Sequence, residues 1–122
     1  MKSKLFFLLI FFMLAAPVFA DYMDTAWVRT YDGLANNYDV ANAIAVDDSG
    51  NIYVTGYSIG SDSYYDYATI KYNSYGNVIW VRRYNGPGND YDYANALVVD
   101  GSGNVYVTGY SRGSGTITIM RR

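Results

Sequence analysis

The sequence predicts an all-β chain of antiparallel, four-stranded, propeller-type blades, about one and a half to two of them, in an incomplete β-propeller preceded by a signal-peptide helix. Three observations predict it. The chain repeats itself at a fixed offset of 53 residues, each repeat breaks into short β-rich runs bounded by turn residues, and no helical period occurs after the first twenty residues. Trp27-Val28-Arg29-Thr30-Tyr31 returns as Trp80-Val81-Arg82-Arg83-Tyr84, and Ala41-Asn42-Ala43-Ile44 as Ala94-Asn95-Ala96-Leu97. Ser49-Gly50-Asn51-Ile52-Tyr53-Val54-Thr55-Gly56-Tyr57-Ser58 returns without a gap as Ser102-Gly103-Asn104-Val105-Tyr106-Val107-Thr108-Gly109-Tyr110-Ser111.

Taken from the N-terminus, residues 1–20 read as a secretory signal. Lys2 and Lys4 form a basic start, Leu5 to Leu14 is an unbroken apolar run, and Val18-Phe19-Ala20 is a small-x-small cleavage site. The apolar stretch ends at Ala20, contains Pro17, and is shorter than the roughly 20 residues a membrane span needs. The expected product is secreted, periplasmic or at the cell surface, free of the membrane once cleaved. From Asp21 onward seven basic residues face eleven Asp. The resulting charge of about −4 argues against nucleic acid as a partner.

The repeat domain is expected over 21–115, with strands at blade positions a to d counted outward from the propeller axis. The order is d (26–31), a (41–47), b (52–57), c (67–73), d (78–84), a (94–100) and b (105–110). Residues 94–99 are apolar at nearly every position, as a strand covered on both faces should be. Asp47 to Asn51 and Asp100 to Asn104 are hairpin turns, with Gly50, Gly103, Asn51 and Asn104 available for positive φ. Asn73-Ser74-Tyr75-Gly76-Asn77 turns the middle pair. One such sheet cannot cover its own two apolar faces, and blades solve this by packing face to face.

At 116–122 the repeat stops matching. One codon choice for these residues, read two bases later, encodes Tyr-Tyr-Tyr-Tyr-Ala-Thr-Ile, in register with Tyr64 to Ile70. An out-of-frame or truncated tail is therefore expected there. A ring of four to eight blades needs roughly 210–420 residues. The expected partners are accordingly further propeller blades or copies of the chain itself.

Missing residue types exclude several chemistries. Without Cys or His there is no Cys/His zinc site, no haem, no Cys nucleophile and no Ser-His-Asp triad. Every acid is Asp, and Lys71 is the one lysine past the first four residues, so a non-enzyme is expected. The enzyme alternative is a glycosidase or lyase using Asp residues in the propeller mouth. No cofactor is expected. Asp47 and Asp100 are weak calcium candidates, since their loops lack EF-hand spacing and Asp48 becomes Gly101 in the second repeat. Asn36, Tyr38 and Asp39, with their counterparts Asn89, Tyr91 and Asp92, recur between positions d and a and are the candidate ligand-binding residues. Trp27 and Trp80 are expected to be structural. The tyrosines could stack on sugars, although most, such as Tyr53, Tyr72, Tyr84 and Tyr106, fall at strand positions where blade packing accounts for them.

The repeated string Ala-x-x-Val-Asp-x-x-Gly-Asn-x-Tyr-Val-Thr-Gly-Tyr-Ser, with Asp66 to Asn73 and Gly76-Asn77-x-x-Trp80-x-x-x-Tyr84-x-Gly86, resembles the bacterial SBBP (beta-propeller) repeats. Its Val-Asp-x-x-Gly-Asn-x-Tyr-Val core is also similar to NHL repeats. The resemblance implies the blade architecture and a large secreted or cell-surface parent. The expected role is an interaction or surface scaffold, with carbohydrate- or calcium-dependent adhesion as the leading specialisation.

Overall fold

A computed structural model describes residues 24–62 and 64–113. The signal expected at 1–20 and the tail expected at 116–122 lie outside these residues. Six strands form, and no helix occurs among the described residues: β1 Asp39–Val46, β2 Ile52–Ile59, β3 Tyr65–Tyr72, β4 Val78–Tyr84, β5 Asp92–Val99 and β6 Val105–Ser111. The first four make an antiparallel meander, β1-β2-β3-β4, and the last two a separate hairpin, β5-β6. The first sheet is a complete blade, and the second holds positions a and b.

Turn chemistry sets the registers. Asp47 N donates to Asn51 O (3.0 Å) and Gly50 N to Asp47 O (2.9 Å), and the same pair of bonds recurs between Asp100, Asn104 and Gly103. Gly50 and Gly103 take the left-handed conformation these turns require, with φ of 76° and 79°. Asn51 and Asn104 instead hold the turns with their side chains, as described below. In β1 and β5 the register slips between Ala41 and Ala43 and between Ala94 and Ala96, so Asn42 and Asn95 are bulge residues. Opposite each bulge stands a strand glycine whose neighbour comes very close. A Cβ on Gly56 would lie 1.8 Å from the Val40 carbonyl oxygen, and one on Gly109 1.9 Å from that of Tyr93.

The core lies between the sheets. Tyr53 and Tyr67 of the first blade are wholly buried against Ala94, Leu97, Val105 and Val107 of the second. Burying such side chains stabilises by about 1.5–3 kcal/mol each. Thr55 and Thr69 face each other in the β2-β3 register, fully covered, with their hydroxyls 2.9 Å apart.

Two expectations need correction. Residues 26–31 carry no strand ladder. The segment lies against the far face of the first blade, where the Trp27 indole donates to Ser74 O and Arg29 Nε to Gly76 O, so side chains rather than backbone pairing hold it. The β5 strand is not covered on both faces. Asn95, Ala96 and Val98 are exposed, because the chain supplies a neighbour to one side only. The a and c strands of the first blade and the a strand of the second also begin two residues early, since Asp39 pairs with Ser58, Tyr65 with Ile59, and Asp92 with Ser111.

Candidate functional site

Antiparallel strands of even length deliver their connections to two opposite ends. The hairpins 47–51, 73–77 and 100–104 occupy one end, and the connections 60–64 and 85–91 meet at the other. At that second end the strands open with Tyr65 and with Asp92-Tyr93, and close with Ser58-Ile59, Tyr84 and Ser111. Its aromatic content is the main chemical feature of the chain.

Six tyrosines touch there. Tyr57 meets Tyr65 and Tyr93 edge-on at 5.0 and 4.8 Å between ring centroids. Tyr91 stacks on Tyr93 at 6.1 Å and receives the edge of Tyr64 at 5.2 Å, while Tyr110 stacks on Tyr93 at 6.3 Å. The ladder runs from the seam between blades to solvent, where Tyr64 and Tyr110 are exposed. Burial, then the neighbouring Tyr91, Tyr65 and Tyr57 and the carboxylate of Asp90, pushes the Tyr93 phenol above its ordinary value. At the rim Asp90 pairs with Arg112 at 3.5 Å. Such a surface offers flat apolar rings with hydroxyl handles.

The candidate ligand residues divide by role. Asp39 Oδ2 accepts the Gly33 amide (2.9 Å) and Asp92 Oδ2 that of Gly86 (2.6 Å), so both carboxylates fasten the start of their own loops. Asp92 is wholly buried. Asn36 and Asn89 sit at φ of 48° and 47°, the left-handed region that asparagine tolerates, and shape the same loops. Tyr38 and Tyr91 are the pair that projects. Tyr91 joins the ladder, whereas Tyr38, with no neighbouring blade beside it in this chain, is 73% exposed.

Asp47 and Asp100 lie at the opposite end. Asp47 Oδ1 accepts the amides of Ser49 and Asn51, and Oδ2 accepts the Asn51 side chain and the Tyr53 hydroxyl. Asp100 repeats all four bonds with Ser102, Asn104 and Tyr106. Led by the Asn51 side chain, these donors lower the Asp47 pKa to about 2, and led by Asn104 they lower that of Asp100. Both carboxylates therefore act as caps of their own hairpins. No cluster of three or more potential metal-ligating acids occurs among the described residues.

Sequence reasoning did not find a buried ion pair. Arg83 Nη2 lies 3.1 Å from Asp66 Oδ2, and the same guanidinium donates to Ser58 O, Ser58 Oγ and the Tyr31 hydroxyl. Arg82 is the exposed member of the arginine pair, its guanidinium 5.8 Å from the centre of the Trp80 ring. Of the tyrosine ladder only Tyr91 is among the sequence-predicted ligand residues, although the signal for the others is present. Tyr64-Tyr65 and Tyr91-Asp92-Tyr93 both stand where a connection enters a strand, and the meander brings those two connections to one end.

The sequence pattern of the SBBP beta-propeller repeat matches residues 29–62 and 79–115. The chain belongs to that family. The first SBBP match covers residues 29–31 and the β1-β2 hairpin, and the second runs from β4 of the first sheet through the β5-β6 hairpin of the second. Strand β3 falls between the two SBBP matches. Among curated proteins, none matches the chain.

Proposed function

We propose that this SBBP repeat chain is an exported, non-catalytic interaction or surface scaffold whose tyrosine-lined end binds carbohydrate. The observation that carries the reading is the ladder of Tyr57, Tyr64, Tyr65, Tyr91, Tyr93 and Tyr110, which reaches solvent at the end where the connections 60–64 and 85–91 meet. Aromatic faces stack on the C–H faces of sugars, and phenol hydroxyls, with Asp90 and Arg112 at the rim, offer hydrogen bonds to the ring substituents. Export is supported by the basic start, apolar run and small-x-small site of residues 1–20. A non-catalytic role is supported by the engagement of Asp39 and Asp92 in fastening their own loops, each carboxylate accepting a backbone amide.

The test is titration of the chain with a panel of soluble oligosaccharides, followed by tyrosine fluorescence. Saturable quenching by at least one sugar, lost in the Tyr64→Ala/Tyr91→Ala double variant with folding retained, is the expected result. No binding across the panel, or binding indifferent to both changes, overturns the reading. Sugar cleavage abolished by Asp39→Asn or Asp92→Asn would replace it with the enzyme alternative.

A further inference from the structure

The two sheets meet through faces that the 53-residue offset makes directly comparable with the two faces left outside. On the second blade, Ala94, Leu97, Val105 and Val107 are at most 9% exposed beneath the first. Their counterparts on the far side of the first blade are Ala41, Ile44, Ile52 and Val54. There Ile44 is 68% exposed, and the four line an open, mostly apolar cavity of about 240 Å³. The floor of that cavity includes Gly56, whose counterpart Gly109 lies directly beneath the Tyr67 hydroxyl within the chain.

The opposite face shows the converse. Ala43, Ala45, Tyr53 and Thr55 belong to the side of the first blade that covers the second, and Tyr53 and Thr55 are wholly buried. Their counterparts Ala96, Val98, Tyr106 and Thr108 line an apolar depression on the far side of the second blade, where Val98 is 63% exposed. A polar contact marks the register between blades. The bulge residue Asn42 donates from Nδ2 to the Ala94 carbonyl at 2.7 Å. Its counterpart Asn95 is exposed, and the carbonyl that corresponds to Ala94 is that of Ala41, on the other free face. Trp27 and Tyr31 border the cavity as their counterparts Trp80 and Tyr84 border the internal interface.

We propose that copies of this chain stack head to tail, the far face of the second blade of one copy seating on the far face of the first blade of the next. The contact reuses the interface already present inside the chain. Val98 and Tyr106 cover Ile44 and Val54, and Asn95 donates to the Ala41 carbonyl. Such a contact is heterologous, so it propagates into a ring or a filament rather than stopping at a symmetric dimer. Of the tyrosine ladder the contact reaches only Tyr110, the counterpart of Tyr57, which meets Tyr93 across the internal interface. Sugar binding, read at Tyr64 and Tyr91, and assembly, read at Ile44 and Val98, can therefore fail separately.

Sedimentation of the purified chain tests the proposal, with Ile44→Asp and Val98→Asp as variants of the two exposed faces and circular dichroism as the check on folding. The wild type is expected to grow in mass with concentration, and each variant alone to remain a monomer. Mixed one to one, the variants each retain one good face, so they are expected to form a dimer and stop there. Asn95→Ala, which removes only an exposed amide, is expected to weaken association about three- to tenfold. A wild type that is monomeric at every concentration, single variants that still assemble, or a mixture that forms no dimer would overturn the proposal.

Discussion

Arg83 on β4 reaches across β3 to hold Asp66 and Ser58 together, its Nη2 3.1 Å from Asp66 Oδ2 and 2.8 Å from the Ser58 carbonyl. Three neighbouring strands are tied at the loop end by one guanidinium. Burial raises the Asp66 pKa, and the bond and charge of Arg83 oppose that rise. Arg83→Ala would leave a carboxylate that is 9% exposed without its cation, a loss of about 3 kcal/mol at neutral pH. Because the folded pKa lies above the unfolded one, the ionised group costs stability as pH rises through that window. Urea unfolding at pH 7 and pH 4 should therefore show a deficit in Arg83→Ala that shrinks at the lower pH.

Gly56→Ala and Gly109→Ala each drive a Cβ into the backbone carbonyl of the facing bulged strand, at 1.8 and 1.9 Å. Neither strand can yield without breaking its register, so each change is expected to cost about 2 kcal/mol or more. Gly101→Ala, with nothing within 4 Å, is the control and should fall within about 0.5 kcal/mol of wild type. Thermal melts of the three variants compare them directly.

Asp47 is held at about 2 against an ordinary 3.8, chiefly by the Asn51 side chain. The unfolded chain thus binds more protons than the folded one between these values, and the stabilisation present above about pH 4 is lost as pH falls toward 2. Asp100 contributes in the same direction. Asp47→Asn keeps an oxygen to accept the Ser49 and Asn51 amides but removes the titration. Its melting temperature should depend less steeply on pH between 4 and 2 than that of the wild type.

At alkaline pH Tyr93 of the ladder and Tyr72 on β3 have the opposite effect from these caps. Tyr93 and Tyr72 ionise above their ordinary value, in each case because of burial first. Unfolded tyrosines lose their protons near pH 10, so stability falls as pH rises past about 10. Spectrophotometric titration should show late-ionising phenols, and Tyr93→Phe should flatten the decline in stability above pH 10.

The blade architecture was legible because the repeat appears twice and its turns use residues of restricted meaning. Asp47 and Asp100, with Asn51 and Asn104, close their hairpins through the same bonds. Position d at 26–31 was not legible as unpaired, since Trp27 to Tyr31 carries the same signature as Trp80 to Tyr84 and differs only in lacking a strand beside it. The bulges at Asn42 and Asn95 were hidden for another reason. An asparagine within an alanine-rich strand gives no sign of whether it pairs across the sheet or leaves the ladder. The ladder of tyrosines and the Arg83–Asp66 pair depend on which connections share an end of the sheet, a property of topology rather than of local spacing.

The packing of one repeat on the next is tested most directly by nuclear Overhauser contacts between the Tyr67 ring and Gly109. These residues belong to different sheets, and the Tyr67 hydroxyl lies 2.7 Å from where a Cβ on Gly109 would be. Cross-peaks from the Tyr67 ring to the Gly109 α protons, together with contacts from Tyr53 to Leu97 or Val107, are the expected result. A Tyr67 ring that shows contacts only within its own sheet would contradict the stacking of the blades.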